Sequence, residues 1–122
     1  MSLIRIHRGY FLHPTFTTNE TFYVTGVVAD EPTAEYCNFN LVIDEENNLY
    51  VYGLKTSDGE YSYGTNGKAI EGLPIKVGDT IIVQANVRHY MNSGTPLYEL
   101  VYAKLIKVNG EDATYELIEL GE

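Results

Sequence analysis

The chain has 122 residues, of which 44% are hydrophobic and 20% are charged. This length suits one small domain with a single core, and the composition argues against intrinsic disorder. Seventeen acidic residues against eight basic ones give a net charge of −9, which disfavours a protein that holds nucleic acid mainly through its phosphates.

Alternation of apolar and polar residues predicts five principal strands. They are expected within residues 21–30, 36–44, 49–54, 75–90 and 96–108. Gly26 lies in the middle of the first segment, where a strand commonly bulges or bends. The turn cluster DEENN (44–48) joins the second and third segments, so these two are expected to form an antiparallel hairpin. A long Gly-rich connection separates the third strand from the fourth.

Five strands, a bent first strand and a long connection between strands 3 and 4 predict an all-β, five-stranded Greek-key barrel, the OB-fold. The alternative, a β-sandwich, requires about seven strands at regular spacing. We expect residues 1–20 to be an N-terminal extension, 21–108 the barrel, and 109–122 an acidic C-terminal tail or edge strand. The predicted core consists of Val24, Phe39, Leu41, Ile43, Leu49, Val51, Ile81, Val83 and Val87.

Three motifs within this barrel carry a resemblance to a known family. They are DEENNLYVYG (44–53), KVGDT (76–80) and YMNSGTP (90–96). Residues 21–108 resemble a group of bacterial OB-fold domains that are often assigned to nucleic-acid binding. These domains occur alone or as modules of surface, secreted or nuclease-containing proteins. The resemblance implies the fold more strongly than a ligand, because one fold serves many functions.

The outer face of strands 2 and 3 is where OB-folds commonly hold oligonucleotides or oligosaccharides. If Leu49 and Val51 face the core, pleating turns Tyr50 and Tyr52 to that outer face, where their rings can stack on bases. The predicted nucleic-acid-binding residues are Tyr36, Asn38, Asn40, Tyr50, Tyr52, Lys55, Arg88, His89 and Tyr90. Tyrosine is also a common strand residue that pairs across strands without any ligand.

Two classes of function therefore stay open. The first is a module that binds single-stranded DNA or RNA by stacking, with Lys55 and Arg88 contacting phosphates. The second is a protein- or oligosaccharide-interaction module of a larger surface or secreted assembly, where an acidic surface is no handicap. The sequence shows no catalytic triad and no metal-ligand spacing, so we expect no enzyme activity, no metal and no cofactor.

The cellular location is predicted from the cysteine count and from the lack of long apolar segments. Cys37 is the one cysteine, so the chain cannot form an internal disulfide. No apolar run approaches the roughly 18 residues of a membrane span, and the first residues lack the apolar segment of a signal peptide. We expect a cytoplasmic protein if the sequence is complete, and a secreted or cell-surface protein if it is a mature fragment.

Overall fold

A computed structural model describes residues 15–64, 72–92 and 95–116. These residues form strands and loops, and none of them lies in a helix that could cross a membrane. The strands are β1 (Thr15–Thr17), β2 (Phe22–Val28), β3 (Phe39–Asp44), β4 (Asn47–Lys55), β5 (Thr80–Asn92), β6 (Thr95–Val108) and β7 (Glu111–Asp112). The predicted all-β class is confirmed, and β2 to β6 correspond to the five predicted strands.

These five strands close into a barrel. β2 pairs antiparallel with both β3 and β5, β3 pairs antiparallel with β4, and β5 with β6. β4 and β6 run parallel and complete the ring, with Tyr50 opposite Glu99 and Lys55 opposite Lys104. The result is the predicted closed five-stranded barrel, an arrangement consistent with the OB-fold. Residues 65–71 of the connection between β4 and β5 lie outside the described part.

Gly26 allows β3 to approach β2 closely. The last residues of β2 pair with β3, while most of its length pairs with β5. A Cβ atom at Gly26 would lie 2.6 Å from Cγ of Leu41 and 2.8 Å from the backbone oxygen of Val42. Glycine is required here because any side chain would collide with β3.

The inward-facing side chains of the barrel form one hydrophobic core. Eight of the nine predicted core residues are buried, namely Val24, Phe39, Leu41, Leu49, Val51, Ile81, Val83 and Val87. Ile43 is only partly buried and packs against this core, because the register of the hairpin slips between Val42 and Asp44. Cys37 is also in the core, and burial raises the pKa of its thiol to about 12, so it serves as a small apolar side chain.

β1 and β7 add to the barrel from outside the ring. β1 pairs antiparallel with β5 near its C-terminal end, and β7 pairs with the end of β6. Beyond β7, the Tyr115 side chain packs against the core, and its Oη donates a 2.6 Å hydrogen bond to Oδ2 of Asp58. Both terminal segments therefore contact the barrel through described residues, whereas 1–14 and 117–122 lie outside them.

Candidate ligand-binding groove

An open groove of about 290 Å³ lies on the outer side of β4, next to β6 and the segment before β3. It is lined by Tyr36, Asn38, Tyr52, Gly53, Leu54, Lys55, Ser62, Arg88, Val101, Tyr102 and Ala103. The tyrosines Tyr36, Tyr52 and Tyr102 are 46%, 51% and 67% exposed, respectively. Exposed aromatic rings around one groove offer flat apolar surfaces on which a ligand can stack.

The backbone around this groove adopts left-handed conformations. Cys37, Gly53 and Tyr102 have φ angles of 60°, 85° and 56°. Gly53 of β4 and Tyr102 of β6 lie side by side. They fall between the Tyr52–Val101 and Leu54–Ala103 pairs, where the two strands are not paired. A residue other than glycine is held there at a cost on the order of 1–3 kcal/mol, and such positions cluster at ligand sites.

The loop after β4 supports one wall of the groove. A Cβ atom at Gly64 would lie 2.3 Å from the backbone oxygen of Glu35 and 2.7 Å from Cα of Tyr36. Tyr63, which precedes Gly64, is buried in the core, and its backbone N donates a 2.9 Å hydrogen bond to the Leu54 oxygen. The loop is therefore anchored to β4 and packs directly on the backbone that carries Tyr36.

Arg88 contacts two groove-side residues at once. Its guanidinium donates a hydrogen bond to the carboxylate of Glu99, which lies opposite it in the β5–β6 pair. Its Cζ atom is 5.5 Å from the centroid of the Tyr52 ring, within the range of a cation–π contact. The Glu99 side chain is only 6% exposed. Arg88 is therefore neutralised by a buried partner and supplies less positive charge to a ligand than the sequence indicates.

Two lysines lie at or beside one end of the groove, since Lys55 lines it and Lys104 follows the lining residue Ala103 on β6. Lys55 and Lys104 are opposite each other in the β4–β6 pair, and neither forms an ion pair with a described residue. Lys107 differs, since its Nζ lies 2.9 Å from Oδ1 of Asp112. Like charges directly opposite each other are destabilising unless an anion lies between them. Lys55 and Lys104 therefore form a local excess of positive charge that no described acid neutralises through an ion pair.

Five of the nine predicted site residues line the groove, namely Tyr36, Asn38, Tyr52, Lys55 and Arg88. Tyr50 and Asn40 are paired with each other on the outer face of β4 and β3 and are partly buried. The backbone N and Nδ2 of Asn40 both donate to the carboxylate of Asp30, at 2.8 and 2.9 Å. One of the two N–H donors of its amide is therefore already used, and the side chain is held against Asp30.

The prediction that His89 lies beside this face is wrong. Its side chain is 3% exposed and packs against Tyr98 in a tilted arrangement, with ring centroids 4.9 Å apart. Pleating places His89 on the same side of β5 as the buried Val87 and opposite Arg88. Continuing the alternation of the strand would have shown this. The side chain of Tyr90 lies outside the described part of the structure.

Tyr102 was missed because a bulge reverses the alternation of β6. A strict period of two places Tyr102 on the same side as Leu100, which is fully buried. Between the Asn86–Val101 and Gln84–Lys104 pairs, however, β6 contains one more residue than β5. The extra residue turns Tyr102 outward. No local sequence signal marks this bulge, since Tyr102 is not a glycine.

Neither a metal site nor a similar known protein identifies the function of this groove. No group of three or more His, Cys, Asp or Glu side chains within the described ranges is arranged to hold a metal ion. Comparisons of the chain with models of protein families, with curated proteins and with solved structures gave no match. A function is therefore inferred from the residues of the groove itself.

Proposed function

We propose that this protein is a binding module for single-stranded nucleic acid, rather than an enzyme, and that the groove is its binding surface. The observation that carries the proposal is the placement of three exposed tyrosines around a groove that Lys55 also lines, with Lys104 opposite Lys55 in the β4–β6 pair. Stacking of a base on an aromatic ring contributes about 1–3 kcal/mol, and the lysines offer contacts to phosphates. The resemblance of residues 21–108 to bacterial OB-fold domains supports the same function.

In this proposal stacking dominates over charge. Tyr36, Tyr52 and Tyr102 supply the rings, and Asn38 offers a hydrogen bond to a base edge. Lys55 and Lys104 supply the phosphate contacts, since Arg88 is paired with Glu99. For single strands log K falls by about 0.7 per phosphate contact for each tenfold rise in salt, so two contacts give a shallow salt dependence. The affinity is accordingly expected to be modest.

The experiment is a titration of short fluorescent DNA and RNA oligomers at about 50 mM salt. Tyr52→Ala should weaken binding about tenfold or more, and Lys55→Ala should weaken it less. Tyr23→Ala is the matched control, because Tyr23 is 63% exposed but does not line the groove. Absence of binding at high micromolar protein, or binding indifferent to Tyr52, would contradict the proposal.

A second candidate, an oligosaccharide- or protein-interaction module, is favoured by the Arg88–Glu99 pair. This pair neutralises Arg88, the one arginine among the described residues that line the groove, and the chain as a whole repels polyanions. OB-fold barrels also use this face for oligosaccharides, which stack on aromatic rings without needing cations. Titration with neutral oligosaccharides under the same conditions separates the two. Binding that depends on Tyr52 but excludes oligonucleotides would favour this candidate.

A further inference from the structure

The amide of Asn38 is oriented by the backbone of β4. Its Oδ1 atom accepts a 2.6 Å hydrogen bond from the backbone N of Gly53. Because a backbone N–H can only donate, this bond fixes which end of the amide is the oxygen. Nδ2 makes no hydrogen bond to the described residues. Asn38 therefore presents a donor to any ligand in the groove.

The other polar groups of the groove show the same bias. Oγ of Ser62 accepts a 3.2 Å hydrogen bond from the backbone N of Gly64, which uses one of its two lone pairs and leaves the hydroxyl proton available to donate. The ammonium of Lys55 can only donate. The carboxylate of Glu99 would be the strongest acceptor nearby, but it is buried and paired with Arg88. Tyrosine hydroxyls can donate or accept, so they leave this bias unchanged.

We propose that the groove selects bases by their carbonyl oxygens, and that it prefers thymine or uracil to cytosine. This inference rests on the proposed nucleic-acid function. Thymine carries the acceptor O4 where cytosine carries the N4 amino donor. Opposite Asn38 Nδ2 the amino group of cytosine meets another donor, so the hydrogen bond that O4 of thymine would accept is lost and the affinity is lower. Uracil and cytosine carry the same charge and neither has the C5 methyl group of thymine, so between these two bases the difference falls on position 4 and the adjacent N3.

The test compares oligo-dT with oligo-dC of the same length and label, titrated on the unaltered protein at one salt concentration. We expect oligo-dT to bind about tenfold more tightly. Equal binding, or tighter binding of oligo-dC, would overturn the selectivity while leaving the proposed nucleic-acid function standing. Failure to bind either oligomer would overturn both.

Asn38→Asp identifies the atom responsible. This substitution keeps an oxygen for the Gly53 N–H and replaces the Nδ2 donor by an acceptor. We expect the dT/dC affinity ratio to fall to about one or below. The ratio cancels the effect of the added charge, because both oligomers carry the same phosphates. Asn48→Asp, which adds a charge on β4 outside the groove, should leave the ratio unchanged.

Ser62→Ala provides a second variant that removes a donor without adding charge. If Ser62 donates to the base, this substitution should reduce the dT/dC affinity ratio severalfold. Circular dichroism of each variant checks that it is folded. A ratio that stays at its original value in both Asn38→Asp and Ser62→Ala would overturn the assignment of selectivity to these donors.

Discussion

The guanidinium carbon of Arg88 lies 5.5 Å from the centre of the Tyr52 ring, while the same guanidinium is paired with the buried carboxylate of Glu99. The ion pair with Glu99 fixes the position of the Arg88 guanidinium, and the guanidinium in turn contacts the Tyr52 ring. Tyr52 is therefore held by β5 and β6 as well as by its own strand. Sequence alone predicts Arg88 as a phosphate contact, whereas this geometry makes it a positioning residue for an aromatic surface.

Arg88→Met should separate these two roles, because it removes the charge and keeps an unbranched stem. We expect the free energy of unfolding to fall by about 1–3 kcal/mol, since Glu99 is left buried without its counterion. Oligomer binding should weaken with an unchanged salt slope, measured by titration at several salt concentrations. A slope reduced by about 0.7 would show instead that Arg88 contacts a phosphate. The double variant Arg88→Met/Glu99→Leu should recover stability, measured by urea denaturation.

Tyr102 has a φ angle of 56° and a side chain that is 67% exposed, so its backbone and its ring can be tested separately. Tyr102→Gly and Tyr102→Ala both remove the ring and should weaken oligomer binding equally. Glycine adopts the left-handed conformation without the penalty of a Cβ atom. The glycine variant should therefore be more stable than the alanine variant by about 1 kcal/mol in urea denaturation. Equal stability of the two would contradict a strained backbone at this position.

Gly64→Ala tests the support behind Tyr36. The added Cβ would lie 2.3 Å from the backbone oxygen of Glu35, which is closer than any van der Waals contact allows. The backbone of one segment must move, so we expect a loss of about 1–3 kcal/mol in the free energy of unfolding and weaker oligomer binding. Ser57→Ala, an exposed position in the same loop, is the control. An unchanged affinity for Gly64→Ala would mean that Tyr36 does not take part in binding.

The hydrogen bond from Tyr115 to Asp58 predicts a pH dependence at both ends of the range. Hydrogen bonds from Thr56 and Tyr115 lower the pKa of Asp58 from 3.8 to about 2. The hydrogen bond to Asp58 raises the pKa of Tyr115 from 10.0 to about 12. The Asp58 contribution to stability is therefore present above pH 3.8 and is lost as the pH falls toward 2. The Tyr115 contribution is present below pH 10.0 and is lost as the pH rises through 12.

Tyr115→Phe removes this hydrogen bond and keeps the ring. The unaltered protein should be more stable than the variant by a constant amount between about pH 5 and pH 9, and this difference should shrink beyond both limits. Urea denaturation at a series of pH values measures it. A difference that persists undiminished to pH 2 would show that Asp58 is not the acceptor that matters.

The barrel could be predicted because it depends on local alternation. Leu41, Val51 and Val83 each sit in a segment whose pattern alone assigns an inner and an outer side. Ile43 is the exception in the core, since its burial depends on where the hairpin register slips. Register is a property of the pairing of two strands, so one strand's pattern does not contain it.

The groove could be predicted only in part, for the same reason. Alternation from Leu49 and Val51 places Tyr52 on the outer face. Tyr102 could not be placed in this way, because the bulge in β6 appears only when β5 is laid beside it. The pairing of Arg88 with Glu99 likewise needs the register of two strands. The same count applies to His89, which follows the buried Val87 by two residues and therefore lies on the inner side of β5.

The parallel pairing of β4 with β6 has a consequence for how the chain reaches this structure. One edge of β4 can pair early with β3, because a short hairpin joins the two strands. The other edge can pair only after β6 has formed, since Tyr50 pairs with Glu99, 49 positions later in the chain. Closing so long a loop costs entropy before its contacts form, which places the barrel among folds that take about milliseconds to seconds. During that interval β4 exposes unpaired backbone groups that another chain can bind. The speed of closure, rather than the final stability, therefore sets the risk of aggregation during synthesis.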